Sequence, residues 1–265
     1  MKFKINLNPY PGAPYFTAQE HLRRFSIKED PVKHMHNTES QLRALFNIPE
    51  GFSFKMLNLS DKDKFCSQFE SVIIKDDPLH GIDWLRMKSQ PSTSLKILDL
   101  SYSFPQVPTD FLGIDAIIID PNAGLGIRAG LLLVFYLHDS ISFNGLISPN
   151  TTGQFNKEIY VLSKVADDLV EKGIEMLVRE SNYKAAVLYH LIESHHHLKP
   201  MVDKEQRSKT IISAACETHL LRKIKQLGYE ISSRMDKENT VITIASYPTH
   251  SRELVEMLVD RIMLL

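Results

Sequence analysis

Residues 121–130, Pro-Asn-Ala-Gly-Leu-Gly-Ile-Arg-Ala-Gly, put three glycines between two apolar runs, 116–119 and 130–136. A small-residue turn in that position holds a cofactor or simply reverses the chain. Upstream, Asp99 and Ser101 close the apolar run 95–100. A carboxylate at a strand end is most simply satisfied by neighbouring backbone N–H groups. His195, His196 and His197, with His190, raise a metal reading. His190 and His197 are seven apart and could share a helix face. No carboxylate or cysteine completes a ligand set in the sequence, and a histidine run at a helix end more simply caps its carbonyls. His34 and His36 form a second, weaker pair, and Asp167 with Asp168 reads as a solvated helix face.

The bulk properties exclude several classes. The 265 residues carry 31 Lys+Arg against 32 Asp+Glu, a formal net charge of -1, so no general attraction to nucleic acid or an anionic membrane is expected. A hydrophobic content of 43% with 24% charged residues is that of a globular chain able to bury a core. Cys66 and Cys216 stand far apart, which argues against a disulfide framework or a structural zinc and suits a reducing cytoplasm. The N-terminus has no apolar signal core, and no apolar run is long enough to cross a membrane.

The elements that must position these residues follow from periodicity and punctuation. Residues 6–15, with three prolines, form a stiff arm. Thr17 with Glu20 opens a short helix as a capping box, and Thr38 with Gln41 opens another over 38–46. Short β-branched runs predict strands at 54–57, 71–74, 95–100, 115–120 and 130–136, with a helix at 61–70. A long helical region runs from 150 to about 198 and breaks at Gly173. The tail then reads β-α-β-β-α: strands near 209–215, 229–234 and 240–246, helices near 217–227 and 250–263, and Gly228 ending the first of these helices. The first half has too few helices for a regular alternating α/β domain. The chain divides at 145–155 into domains of 1–150 and 151–265. Trp84 and Tyr102 read as core or interface residues.

The tail carries a resemblance. Residues 206–210, Gln-Arg-Ser-Lys-Thr, and 244–251, Ile-Ala-Ser-Tyr-Pro-Thr-His-Ser, resemble the phosphoserine aminotransferases, members of the class V pyridoxal-phosphate (PLP) aminotransferases. Residues 171–175 and 184–186 match as well. Asn8-Pro9-Tyr10-Pro11-Gly12 is similar to the family's opening arm, and residues 42–50 to its first core helix. The resemblance covers roughly residues 5–58 and 93–263. It implies a fold-type-I α/β architecture with an abbreviated large-domain sheet and an α+β small domain. It also implies a dimer whose sites lie near the subunit interface.

A PLP aminotransferase needs a lysine imine, a carboxylate on the pyridinium nitrogen, a phosphate cradle and a carboxylate-binding arginine. By resemblance Asp99 and Ser101 occupy the pyridinium-partner motif, and Asn122 the residue before the Schiff-base lysine. The lysine slot itself is Ala123. The substrate-arginine slot is Thr243. The cradle after the strand near 54–58 reads Asn-Leu-Ser-Asp-Lys-Asp-Lys, with two aspartates that repel a phosphate. Arg128 cannot replace the lysine because its guanidinium stays protonated. Three requirements fail in three segments.

The resulting expectation is a protein without catalysis and without bound PLP, pairing with itself or with an active paralogue as a regulatory or scaffold subunit. Asp99, Ser101 and Asn122 would then be vestigial. The alternative is an active PLP enzyme using Lys96, Lys209 or a partner chain's lysine. A third class is a small-ligand binder using the cleft between domains.

Overall fold

The computed structural model describes residues 4–26, 28, 30–67, 71–75, 95–108, 110–137, 141, 155–236 and 239–265. Trp84 and most of the expected boundary at 145–155 lie outside them, as do residues 68–70 of the expected third helix. The strands are β1 Ile5–Asn6, β2 Ser53–Asn58, β3 Ser71–Lys75, β4 Leu95–Asp99, β5 Ala116–Ile119, β6 Leu131–Tyr136, β7 Leu198–Pro200, β8 Ile211–Cys216, β9 Tyr229–Glu230, β10 Ser232–Asp236 and β11 Asn239–Ala245. The helices are α1 Ala18–Arg24, α2 Pro31–Phe46, α3 Lys62–Ser67, α4 Asn156–Lys172, α5 Ile174–Ser194, α6 Thr218–Gln226 and α7 Arg252–Met263.

The first sheet runs β2-β6-β5-β4-β3. Its β3, β4 and β5 are mutually parallel, and β6 and β2 are antiparallel to their neighbours. Every residue of β5 and β6 is buried. Side chains alternate across a strand, so both faces must be covered. On one face Ile117, Ile119, Leu131, Leu133 and Phe135 meet α2 and α4 through Leu42, Phe46, Tyr160, Leu162 and Val165. On the other, Ile97, Ile118, Leu132 and Val134 pack with Phe65 of α3. The second sheet, β10-β11-β8-β7, is antiparallel. It lays Ile212, Ala214, Ile242 and Ile244 on α5, α6 and α7. With the short β1–β9 pair, these sheets and helices form the α/β class that the resemblance implied.

Two helix starts differ from expectation. The α2 helix begins seven residues before Thr38, at Pro31, with Asp30 as N-cap accepting from Val32 N at 2.9 Å. An Asp-Pro start satisfies a free N–H and pre-sets φ. Thr38 is instead buried mid-helix, its hydroxyl donating to His34 O at 2.8 Å. The Thr17 side chain caps nothing; it donates to Asp168 Oδ2 at 2.5 Å, where His21 Nε2 also bonds at 2.8 Å. Asp167 accepts from Asn37 and Gln41. The aspartate pair on α4 is therefore an internal anchor for α1 and α2 rather than a solvated face. Gly173, at φ 83°, separates α4 from α5, and Gly228, at φ 94°, follows the end of α6, both as the punctuation predicts.

The N-terminal arm ties the two sheets together. β1 pairs parallel with β9, and the fully buried Leu7 accepts from Ala245 N at 2.8 Å. The residues that carried the resemblance in the tail are structural ties. Tyr247 donates its hydroxyl to Pro9 O, and His250 Nε2 donates to Asn6 O at 2.9 Å. Lys184, buried on α5, donates to Tyr247 O and His250 O at 2.7 and 2.9 Å. Arg207 pairs with Glu193 at 2.7 Å and lies over the Tyr189 ring.

Burial drives the His250 pKa down to about 4, against the favourable bond to Asn6 O, with Lys184 adding a lowering charge. The folded state holds this ring neutral while the unfolded chain protonates near 6.5. Stability is thus complete above pH 6.5 and falls as pH drops toward 4, by about 3 kcal/mol from this group alone. Urea melts between pH 7 and 4 check it: a His250→Gln variant, which keeps a donor for Asn6 O, should flatten that acid slope. An unchanged slope would show that His250 is not its source.

Candidate functional site

Parallel strands deliver ligand-facing groups at their carboxyl ends. Asp99 is the last residue of β4, and Asp120 follows β5 directly. Both are buried, at 3% and 4% exposure. Asp99 Oδ1 accepts from Ser101 N at 3.0 Å and from Ser101 Oγ at 2.5 Å, and Ser101 Oγ in turn accepts from Asp120 N at 2.8 Å. This chain of bonds locks β4 to β5 at their active ends.

The other oxygen of Asp99 is taken by a residue the sequence reading placed only in a failed cradle. Lys62 Nζ donates to Asp99 Oδ2 at 2.9 Å. Lys62 opens α3, just after β2, and its side chain is only 26% exposed. Phe65, three residues on, is fully buried and fixes the face of α3 that turns inward. Burial works to lower the Lys62 pKa, but the charge and hydrogen bond of Asp99, with Asp120 and Cys66, outweigh it and raise the pKa overall. Lys62 is thus an ammonium, not a nucleophilic amine. Burial also raises the pKa of Asp120, against two hydrogen bonds from Asn122. Burial and the charge of Asp120 raise the Tyr10 phenol, whose ring meets Tyr102 edge-on at 6.5 Å, and burial raises the Tyr102 phenol too.

The glycine turn wraps this cluster. Asn122 Nδ2 donates to Asp120 Oδ1 and to Ala129 O, each at 2.7 Å, and Asn122 Oδ1 accepts from Ala129 N, closing the loop on itself. Ala123 is fully buried. The arm lies directly on it: Gly12 N donates to Asn122 O, and a Cβ on Gly12 would come within 2.6 Å of Ala123 O. Gly126 sits at φ +62°, where a Cβ would strike Thr249 at 2.3 Å and Ala13 O at 2.4 Å. The glycines are therefore required by the close approach of arm, turn and tail, whatever the chemistry.

The remaining sequence candidates lie elsewhere. Thr243 on β11 shares a hydrogen bond with Ser213 at 3.1 Å. Lys96 is the second residue of β4, toward the end opposite Asp99, and its Nζ reaches toward Gly113. Lys209 is exposed. His34 is buried against Tyr160 while His36 is exposed, so they form no ligand pair. His190 and His197 share no helix face, because α5 ends at Ser194. The histidine run does acquire a carboxylate, Glu217, and a further histidine, His219. Neither was within reach of sequence reasoning, because they arrive from the far end of β8.

No protein-family model and no curated protein sequence matches this chain. Solved structures do. A phosphoserine aminotransferase from Cytophaga hutchinsonii superposes at a TM-score of 0.83 and 16% identity, over 100% of this chain and 99% of that one. A PLP-bound phosphoserine aminotransferase from Trichomonas vaginalis gives 0.69 and 13%, over 98% and 99%. A ureidoglycine-glyoxylate aminotransferase from Bacillus subtilis gives 0.76 and 13%, over 100% and 94%.

The chain has the phosphoserine aminotransferase fold.

At these identities the likeness concerns the fold, and the residues decide the chemistry. Compared with what a PLP imine requires, they do not fit. Asp99 already holds the Lys62 ammonium. No amine stands at position 123. Asp61 and Asp63 flank Lys62 after β2, with Asp61 paired to Lys64 at 3.4 Å, and their charges repel a phosphate.

Removing Lys62 leaves Asp99 buried and half-satisfied. Lys62→Met should cost about 3 kcal/mol, and Lys62→Met with Asp99→Asn distinctly less, because asparagine still accepts from Ser101 without a charge. Chemical denaturation of Lys62→Met, Asp99→Asn and the double variant checks it; additive losses would mean that the pair is not coupled. The raised Lys62 pKa adds stability that is complete below pH 10.5 and lost as pH climbs through the folded value. Lys62→Met should remove that alkaline loss.

Proposed function

We propose that this chain is a non-catalytic relative of the phosphoserine aminotransferases, a regulatory or scaffold subunit that pairs with itself or with an active paralogue. The observation that carries the proposal is the Lys62–Asp99 pair. A transaminating site needs Asp99 free to hold a protonated ring nitrogen, so that the ring withdraws electrons from the substrate. Here the chain's own ammonium takes that position at 2.9 Å and is held charged by two carboxylates. The vestigial set Asp99, Ser101 and Asn122 then serves to hold strand ends and turn together.

Three further features support the loss. Ala123 cannot form an imine. Thr243 offers a hydroxyl already engaged with Ser213. The lysines that could have substituted, Lys96 and Lys209, stand at the far end of β4 and on the surface. On this reading the protein carries no PLP.

The partner reading rests on the surface left by the arm and α1. Tyr10, Phe16 and Leu22 are exposed by 46%, 72% and 40%. Leu22 also lines a cavity of about 460 Å³ with Pro14, Ala18, Ile127 and Val161, alongside the polar Gln19, Arg128, Lys157 and Glu158. An exposed apolar group of this kind marks a surface that is covered in an assembly. Among the described residues no helix is long and apolar enough to cross a membrane.

Incubation of the purified protein with PLP should give no imine band near the visible edge. A band that borohydride abolishes would overturn the proposal and restore the active alternative. A thermal shift with PLP, phosphoserine or 2-oxoglutarate, without such a band, would instead indicate a binding protein. Co-purification from native cells should recover an aminotransferase of full activity or a self-associated chain; a strictly monomeric product would count against the subunit role.

A further inference from the structure

Away from the Asp99 cluster, the second sheet gathers three good metal donors. His197 immediately precedes β7, and Glu217 immediately follows β8. These strands pair antiparallel with Leu198 opposite Cys216, so the register sets His197 beside Glu217; Glu217 N donates to His197 O at 3.3 Å. His219 is two residues further, in the first turn of α6. A sheet register and a helix start therefore fix all three side chains on rigid backbone.

Their donor atoms converge. His197 Nδ1 lies 2.9 Å from Glu217 Oε1, and His219 Nδ1 lies 3.3 Å from Glu217 Oε2. All three donors fall within 4.8 Å of one another. The edges of a tetrahedron around a metal bound at about 2.1 Å are roughly 3.4 Å, so little movement is needed to close the set. The two rings meet edge to face at 4.3 Å, and His196 packs on His197 at 3.8 Å. The group opens onto a cavity of about 490 Å³.

We propose that His197, Glu217 and His219 form a binding site for a divalent transition-metal ion of the zinc class. Two imidazoles and one carboxylate are the donors that such ions select, whereas calcium and magnesium take oxygen sets. The fourth position faces the cavity and is open to water or to a ligand that crosses it. The site lies on the second sheet, is independent of the Asp99 cluster, and does not depend on whether PLP binds.

The test is calorimetric titration of chelator-treated protein with zinc chloride. One saturable equivalent is expected. Glu217→Gln and His219→Asn should each weaken it by roughly tenfold or more. His196→Asn, which alters the run but not the proposed set, should change affinity little. Because Glu217 and His219 are about half exposed, the variants should keep the parent's melting temperature in the absence of metal. Absence of saturable binding would overturn the site. So would binding that survives Glu217→Gln and His219→Asn but is lost in His196→Asn, since that pattern belongs to a bare histidine run.

Discussion

A buried ion pair between Lys62 and Asp99 organises the carboxyl end of the first sheet. Asp99 is almost fully buried, and a carboxylate in that position must be ionised against a cation or held neutral. The cation is supplied in cis by Lys62, the first residue of α3. The aspartate, Ser101, Asp120 and Asn122 then form a closed series of hydrogen bonds that joins β4, β5 and the glycine turn without any external group.

The same economy extends to the arm. Its β1 strand pairs with β9, Leu7 joins β11, and Gly12 rests on the carbonyl of Ala123. Tyr247, His250 and Lys184 hold that arrangement from the tail. The motifs that carry the family resemblance are thus the ones that keep arm, turn and tail in contact.

How much could be read beforehand depended on the kind of residue. Apolar runs such as 116–119 and 130–136 announced buried strands because both faces of a central strand are covered. Gly126, Gly173 and Gly228 marked turns because each has a backbone angle that other residues avoid. Ala123 was visible as a small residue among the glycines of a tight turn, and it is fully buried there. Lys62 was not: in Asp-Lys-Asp-Lys it looks like a solvated helix start, and only the burial of Phe65 turns it inward. Thr17 and Thr38 misled for a related reason. Both are good caps by type, yet Asp168 and the His34 carbonyl offered them better partners. Glu217 and His219 met the histidine run only through the β7–β8 register, which no local pattern encodes.

The most direct measurement is heteronuclear NMR of the Lys62 side-chain nitrogen, assigned by loss of the signal in Lys62→Met and followed across alkaline pH with and without PLP. The account predicts a titration above 10.5, shifted down in Asp99→Asn, and a resonance that PLP leaves unchanged. A titration below 10.5, or conversion of that nitrogen to an imine by PLP, would contradict it and make Lys62 the reactive lysine of a working site.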